Sequence, residues 1–241
     1  MKLSTFVLVC CFVTACNSEK EVKEGRIGIT VLHDITDSLL IHPNDEFPLK
    51  LYHLEDDKNT GAIFRITSTT DVVLNPAIEA VLPNNTITQK ENENDDPYYR
   101  EKRIQVFYSQ VREALKAYNQ TIKDSVKYHY SECFRSICNE IVKLHKNNTE
   151  SKLIVYSDLQ ENSGLGTVYT KNGLTDKSLK AIEKVYLQVN LLPQKIENLT
   201  VYFIFQPHNR DEDNGFRKMF AIFQKILETH GAKVILQSGN S

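Results

Sequence analysis

The sequence lacks several features that mark whole classes of function. Lysine and arginine together number 29 against 31 acidic residues, a net charge of −2 over 241 residues. A chain with no basic excess has no electrostatic footprint for nucleic acid, so we expect no nucleic-acid partner. It also contains no glycine-rich phosphate loop and no Gly-x-Ser-x-Gly elbow, the usual signals of nucleoside triphosphatases and serine hydrolases.

Cysteine is scarce beyond the N-terminal segment, where Cys10, Cys11 and Cys16 lie. The other two, Cys133 and Cys138, are five positions apart, and on a helix that spacing turns them about 140° from one another. A disulfide between them is therefore not expected, and two cysteines make no metal motif. We predict two small thiols that fill the core.

Long apolar runs are absent except near the N-terminus. Lys2 is the only charge before the apolar residues 6–13, a run that is too short to span a membrane and that ends in small residues. This pattern is typical of a signal peptide. The following Val13, Thr14, Ala15 and Cys16 resemble the lipobox of bacterial lipoproteins, which implies cleavage before Cys16 and a lipid on its sulfur.

This resemblance divides the chain into three parts. Residues 1–15 would be the lipoprotein signal peptide, residues 16–25 the lipidated cysteine and a polar tether, and residues 26–241 the folded domain. Acyl chains on Cys16 would hold that domain on a membrane of the bacterial cell envelope without a spanning helix, facing the periplasm or exposed at the surface.

Strand and helix patterns alternate through the folded part, which predicts an α/β domain with a mainly parallel sheet covered by helices on both faces. The gap of about three residues between the second and third strands is too short for a parallel crossover, so the third strand must be antiparallel and form an edge. We predict six strands, at residues 26–33, 61–68, 71–82, 153–158, 199–205 and 233–237. Helices should begin near residue 44 or 48, near 98 and at 131, and two more are marked by apolar positions over residues 179–189 and 216–227.

The first strand is the element around which the chain is organised. Apolar side chains occupy both parities of residues 27–32, as in a strand buried on both faces, with Gly28 as its weak point. Asp34, Thr36 and Ser38 then alternate along the loop that leaves its carboxyl end. In open α/β sheets, ligands bind beyond the carboxyl ends of the strands, so this loop is the first candidate for a site.

Two further groups are expected at the same place. Asp158 ends the fourth strand, which neighbours the first where the winding of a doubly wound sheet reverses, and Ser131 opens the preceding helix as its N-cap. With the first loop they supply two carboxylates and three hydroxyls. Such oxygen donors suit a hard cation, Mg²⁺ first and Mn²⁺ or Ca²⁺ as alternatives, rather than Zn²⁺.

The element order, the Asp-x-Thr-x-Ser loop, the hydroxyl at Ser131 and the Ser-Asp pair at 157–158 resemble a von Willebrand factor A-type domain over residues 26–238. The resemblance implies a three-layer Rossmann-like fold and a metal-ion-dependent adhesion site made by Asp34, Thr36, Ser38, Ser131 and Asp158. Thr36 stands where the family has Ser, and Ser131 where it has Thr. The hydroxyls of Thr67, Thr69 and Thr70 are rivals for the role given to Ser131.

The function implied by this resemblance is binding, with no catalytic residue. A carboxylate from a partner protein would complete the coordination of the cation. Their positions in the chain make Asp37 and Glu161 candidates for the rim of the site; the alternatives are a solvated turn acid for Asp37 and a loop-capping carboxylate for Glu161. Two alternatives remain open. One is a metal-dependent hydrolase or phosphoryl-transfer enzyme with Asp34 as nucleophile or metal ligand. The other is a degenerate domain of the same type that binds a partner without metal.

Overall fold

A computed structural model describes residues 25–55, 60–84, 97–122, 128, 130–168 and 174–237. The predicted signal peptide, Cys16 and all of the tether except Gly25 lie outside these residues. In chain order the elements are β1 Arg26–Asp34, α1 Glu46–Lys50, β2 Gly61–Thr69, β3 Ala77–Leu82, α2 Pro97–Ile122, α3 Cys133–Asn147, β4 Glu150–Tyr156, β5 Asn162–Ser163, β6 Gly166–Thr167, α4 Asp176–Val189, β7 Leu199–Ile204, α5 Arg210–Thr229 and β8 Lys233–Gln237.

The main sheet has six strands in the order β3-β2-β1-β4-β7-β8. All neighbours are parallel except β3, which pairs with β2 in the antiparallel sense and forms one edge. Helices α1 and α2 pack on one face, and α3, α4 and α5 on the other. The predicted α/β architecture is confirmed, including the antiparallel edge strand and the adjacency of the first and fourth strands.

Strand β1 lies between the two apolar cores and contributes side chains to both. Ile29 and Val31 contribute to the apolar cluster beneath α1 and α2, whereas Leu32 contributes to the cluster beneath α3, α4 and α5. Gly28 has a steric role, because a methyl group added there would overlap the side-chain amide of Asn148. That amide donates to the carbonyl of Leu144 (3.0 Å) and closes the end of α3.

Three predicted boundaries at the carboxyl edge of the sheet are wrong by two residues or more. The third strand begins at Ala77 rather than at residue 71. The hydroxyl of Thr67 donates to the Pro76 carbonyl (2.9 Å), and this bond holds residues 71–76 as a loop before the strand. Strand β4 ends at Tyr156 rather than Asp158. Helix α3 begins at Cys133, and Ser131 lies in an isolated antiparallel bridge with Asn162 instead of serving as the N-cap.

The two cysteines of α3 match their prediction. Cys133 and Cys138 are both free and buried. They sit among the apolar side chains of the core on that face, where each acts as a small filling group.

Within the described ranges, none of the helices combines the length and apolarity needed to cross a bilayer.

Candidate metal centre

Asp34, the last residue of β1, is held by four hydrogen bonds from neighbouring groups. Its Oδ1 accepts from the backbone N–H (3.1 Å) and the hydroxyl (2.6 Å) of Thr36. Its Oδ2 accepts from the hydroxyls of Ser157 (2.8 Å) and Ser131 (3.4 Å). The side chain is 1% exposed, so the carboxylate is fixed within a polar cage at the carboxyl edge of the sheet.

Ser157 is a member of this cage that the sequence analysis did not assign. Parallel pairing places His33 of β1 opposite Tyr156 of β4. The residues that follow them, Asp34 and Ser157, therefore also lie side by side. The Ser157 hydroxyl bridges two elements, because it donates to Asp34 and accepts the N–H of Leu159 (2.8 Å). The register of the two strands was the signal that could have identified it.

The chain after Ser157 turns sharply. Leu159 has φ of +61°, an uncommon left-handed conformation for a residue with a branched side chain, and it is fully buried. The Ser157 hydroxyl stabilises this turn through the Leu159 N–H. The turn presents Asp158 toward the carboxyl edge while Leu159 enters the core beside α3.

Asp158 is the second carboxylate of the site, and it accepts fewer hydrogen bonds than Asp34. Its Oδ1 accepts the N–H of Gln160 (2.9 Å), but its Oδ2 is buried and has no hydrogen-bond partner among the described residues. The side chain is 3% exposed. A buried carboxylate oxygen without a donor carries a full desolvation penalty, so it marks a place where another group could bind.

The two carboxylates act on one another. Burial raises the pKa of Asp34, against the opposing effect of the hydrogen bonds from Thr36 and Ser157. Burial, followed by repulsion from Asp34, raises the pKa of Asp158 to about 8. Within the described chain, neither carboxylate forms a salt bridge with a lysine or arginine. Among the described residues, hydroxyl and amide dipoles are therefore what compensates their negative charge.

Ser131 reaches the site because strand β5 and the loop after β2 hold the backbone around it. Its N–H and carbonyl pair with Asn162 (2.9 and 3.2 Å), and the next N–H, from Glu132, donates to the carbonyl of Thr70 (3.0 Å). The rival hydroxyls of Thr67 and Thr70 point to Pro76 and Asn75 in the loop before β3. Thr69 is buried and pairs with Asp34 across β1 and β2 in the strand register. Of these candidates, Ser131 is the one with a hydroxyl contact to Asp34 among the described hydrogen bonds.

The first loop connects the buried carboxylates to solvent. Thr36 is half-buried, and Asp37 and Ser38 are exposed. Asp37 accepts the N–H of Ser38 (2.7 Å), and the carbonyl of Ser38 lies 3.1 Å from Nε2 of His208. Asp37 is thus an exposed turn acid on the loop beside the site, and Ser38 contributes an exposed hydroxyl next to it.

Glu161 does not lie at the rim; it is a buried capping carboxylate, the alternative that its sequence position also allowed. It is 0% exposed, and its Oε2 accepts the N–H of Phe134 (2.8 Å) and the hydroxyl of Tyr186 (3.1 Å). Burial raises the pKa of Glu161 to about 7. The carboxylate caps the first turn of α3, where free backbone N–H groups need an acceptor and no local side chain supplies one.

The residues expected from the sequence thus come together in part. Asp34, Thr36 and Ser131 are in direct contact, Asp158 is within repulsive range of Asp34, and Ser38 lies on the exposed loop above them. In the described chain there is no cluster of three or more His, Cys, Asp and Glu side chains suited to a metal. The candidate set differs from such a cluster, because hydroxyls make up most of its donors. Two carboxylates with hydroxyls fit Mg²⁺, Mn²⁺ or Ca²⁺.

Comparison with known proteins identifies no family. No protein-family model matches the sequence, and no curated protein matches it. Among solved structures, the chain is similar to the human COPII-coat protein Sec24c, with 9% sequence identity and a TM-score of 0.38, over 92% of this chain and 30% of that chain. The chain therefore spans less than a third of that protein, and the similarity is too weak to carry an argument about function.

Proposed function

We propose that this protein binds a divalent cation, Mg²⁺ first, at the carboxyl edge of its sheet and uses it to bind another protein. Asp34, Thr36, Ser38, Ser131 and Asp158 would hold the cation, as in the von Willebrand factor A domains that the sequence resembles. The bound cation would supply an acceptor for a carboxylate oxygen of the partner. The observation that carries this proposal is the buried Oδ2 of Asp158, which has no partner in the described chain and lies beside a second buried carboxylate.

Charge is the physical reason for this choice. Two buried carboxylates that repel one another are costly, and the described chain brings no lysine or arginine to them. A divalent cation would neutralise both and would satisfy the free oxygen of Asp158. Among the described hydrogen bonds of Asp34, the partners are three hydroxyls and one backbone N–H, and no histidine or lysine is among them to act as a general base, which favours binding over hydrolysis.

The surface around the site supports a protein as the ligand. Leu40, Val72, Leu74 and Tyr130 are large apolar side chains that are at least 48% exposed, and Leu74 is 73% exposed. They lie in the loops that follow β1 and β2 or precede α3, on the same edge of the sheet as Asp34. Apolar groups around a polar centre are the usual composition of a protein-binding surface.

Thermal unfolding with and without metal tests the proposal. Saturating Mn²⁺ or Mg²⁺ should raise the melting temperature of the full-length protein, because a ligand that binds only the folded state stabilises it. Asp158→Asn should remove the rise, since it replaces a carboxylate oxygen that would bind the cation by an amide nitrogen that cannot, while it keeps the side-chain volume.

The matched control is Glu228→Gln, which removes an exposed carboxylate near the opposite end of α5 and should leave the rise intact. The absence of any metal-dependent rise in the parent protein would contradict the proposal. An equal rise in the Asp158→Asn variant would place the cation elsewhere.

We also propose that a lipid on Cys16 anchors the protein to a membrane of the bacterial cell envelope. The support is the sequence pattern alone, a short apolar run that ends in Val13, Thr14, Ala15 and Cys16. Metabolic labelling with an alkyne fatty acid should mark the parent protein and fail to mark Cys16→Ser. Labelling that persists in this variant would contradict the anchor.

A further inference from the structure

A cavity of about 630 Å³ opens next to the candidate metal centre, at the same edge of the sheet. Its wall is formed by the chain between β7 and α5, the first turns of α5 and the end of β8, with Ile41 from the first loop. His208, one of the lining residues, lies 3.1 Å from the carbonyl of Ser38 through its Nε2. The cavity and the metal-site loop therefore share a border.

The walls of this cavity are largely apolar. Ile41, Phe205, Phe216 and Leu236 line it, and the rings of Phe205 and Phe216 pack at a centroid distance of 4.8 Å. Leu236 is 40% exposed, so part of this apolar surface is open to water. A volume of this size accommodates one or two large side chains of a bound peptide.

The charged residues at the cavity are not equivalent. Arg217 is paired with Asp213 through two contacts of 2.9 and 3.0 Å. Arg210, at the first position of α5, forms no ion pair with any described residue, and it is exposed. Asp211 and Glu212 follow Arg210 in the first turn of α5, so the rim of the cavity is mixed in charge. The cavity thus combines an apolar interior with Arg210 as the cation that would attract an acidic group next to an apolar one.

We propose that the cavity is the second half of the partner-binding surface and takes a large apolar or aromatic side chain from an acidic segment of the partner protein. This rests on the proposed function, because another carboxylate of the same segment would reach the cation beside Ser38. Arg210 then pairs with an acidic side chain that flanks the apolar one. The partner is an extended segment in which acidic residues surround a Phe, Tyr, Trp or Leu.

A displayed library of random twelve-residue peptides tests this inference on the full-length protein in Mn²⁺. Selected peptides should combine acidic residues with a large apolar residue a few positions away. Replacing that residue by Ala in a selected peptide should weaken binding about tenfold or more, because buried aromatic side chains commonly dominate such contacts.

Two pairs of variants assign the effect to the cavity. Leu236→Glu places a charge on the apolar wall and should abolish the preference for the apolar residue, while Leu187→Glu, at an exposed position on α4, should retain it. Arg210→Ala should weaken the selected peptides, whereas Lys233→Ala, at the opposite edge of the sheet where β8 begins, should not.

The outcomes separate this inference from the proposed function. If Mn²⁺ raises the melting temperature but selection yields no acidic and apolar peptides, or the preference survives Leu236→Glu, the cavity inference is overturned and the metal site stands. If peptides bind with the Leu236-dependent preference even when EDTA replaces Mn²⁺, the cavity is supported and the cation loses its proposed role.

Discussion

Two buried acidic regions of this molecule are built on opposite principles. Glu140 of α3 is 3% exposed and contacts two cations, Nε of Arg65 (3.0 Å) and Nζ of Lys143 (2.7 Å). Asp34 and Asp158 are as deeply buried, yet their partners in the described chain are hydroxyl and amide groups.

The difference shows what a buried carboxylate needs. Around Glu140 the chain supplies the compensating charge itself, so the region is complete without a ligand. Around Asp34 and Asp158 the described residues supply hydroxyl and amide dipoles without a cationic side chain. The negative charge that remains there would be neutralised by an external cation. The predictions below test whether the two regions differ in this way.

The largest loss of stability is expected at Glu140, where the protein's own arginine and lysine compensate the buried carboxylate. Arg65→Ala removes a partner of Glu140 and leaves a buried carboxylate with Lys143 alone. It should lower the free energy of unfolding by about 3 kcal/mol, because the buried charge loses one of its two cations and a second, more exposed ion pair that Arg65 makes with β3 is lost as well. Urea denaturation measures this. A loss equal to that of an exposed pair, such as Arg112→Ala beside Asp45, would show that the buried pair has no special role.

A smaller loss is expected from the cage of Asp34. Ser157→Ala deletes the hydroxyl that bridges Asp34 and Leu159, and it should lower the free energy of unfolding by about 2 kcal/mol. Ser136→Ala is the control, because its buried hydroxyl has no partner in the described chain and its loss should change stability little. Equal effects of the two substitutions would argue against the bridging role.

Replacement of the Asp158 carboxyl by an amide should raise the free energy of unfolding, in contrast to the two substitutions above. Its pKa is raised to about 8, so the folded state retains a proton that the unfolded state releases from about pH 4 upward. Stability of the metal-free protein should therefore fall as pH rises through this window. Asp158→Asn should raise the free energy of unfolding by about 1 kcal/mol at pH 8, and by less at pH 5. Destabilisation at pH 8 would indicate that the carboxylate is compensated after all.

The smallest effect belongs to Asp37, which is exposed at the rim. Asp37→Asn should weaken Mn²⁺ binding only about two- to threefold, because water and salt screen its attraction for the cation. Calorimetric titration of the variant measures the change. A loss as complete as that of Asp158→Asn would make Asp37 a ligand rather than a neighbour.

The fold could be predicted because its signals are local. The apolar residues on both parities of β1 indicate burial on two faces, and the short gap before β3 requires an antiparallel edge. The same topology predicts from the sequence that Asp34 and Asp158 lie near one another, since parallel neighbouring strands end at the same edge of the sheet.

The details of the site could not be predicted because they depend on contacts between distant segments. Ser157 contacts Asp34 through the register of β1 with β4, and a shift of one residue would have changed its partner. Ser131 reaches Asp34 only because Asn162 pairs with its backbone. Glu161 is an acidic loop residue whose carboxylate is buried against Phe134 and Tyr186. The sequence around Glu161 does not predict either contact.

The central claim is that a divalent cation binds between Asp34 and Asp158, and direct measurement of Mn²⁺ binding by electron paramagnetic resonance tests it most closely. The account predicts one saturable site per chain, displaced by excess Mg²⁺, absent from Asp158→Asn and retained in Glu228→Gln. The absence of saturable binding through the millimolar range, or a site that survives Asp158→Asn, would contradict it.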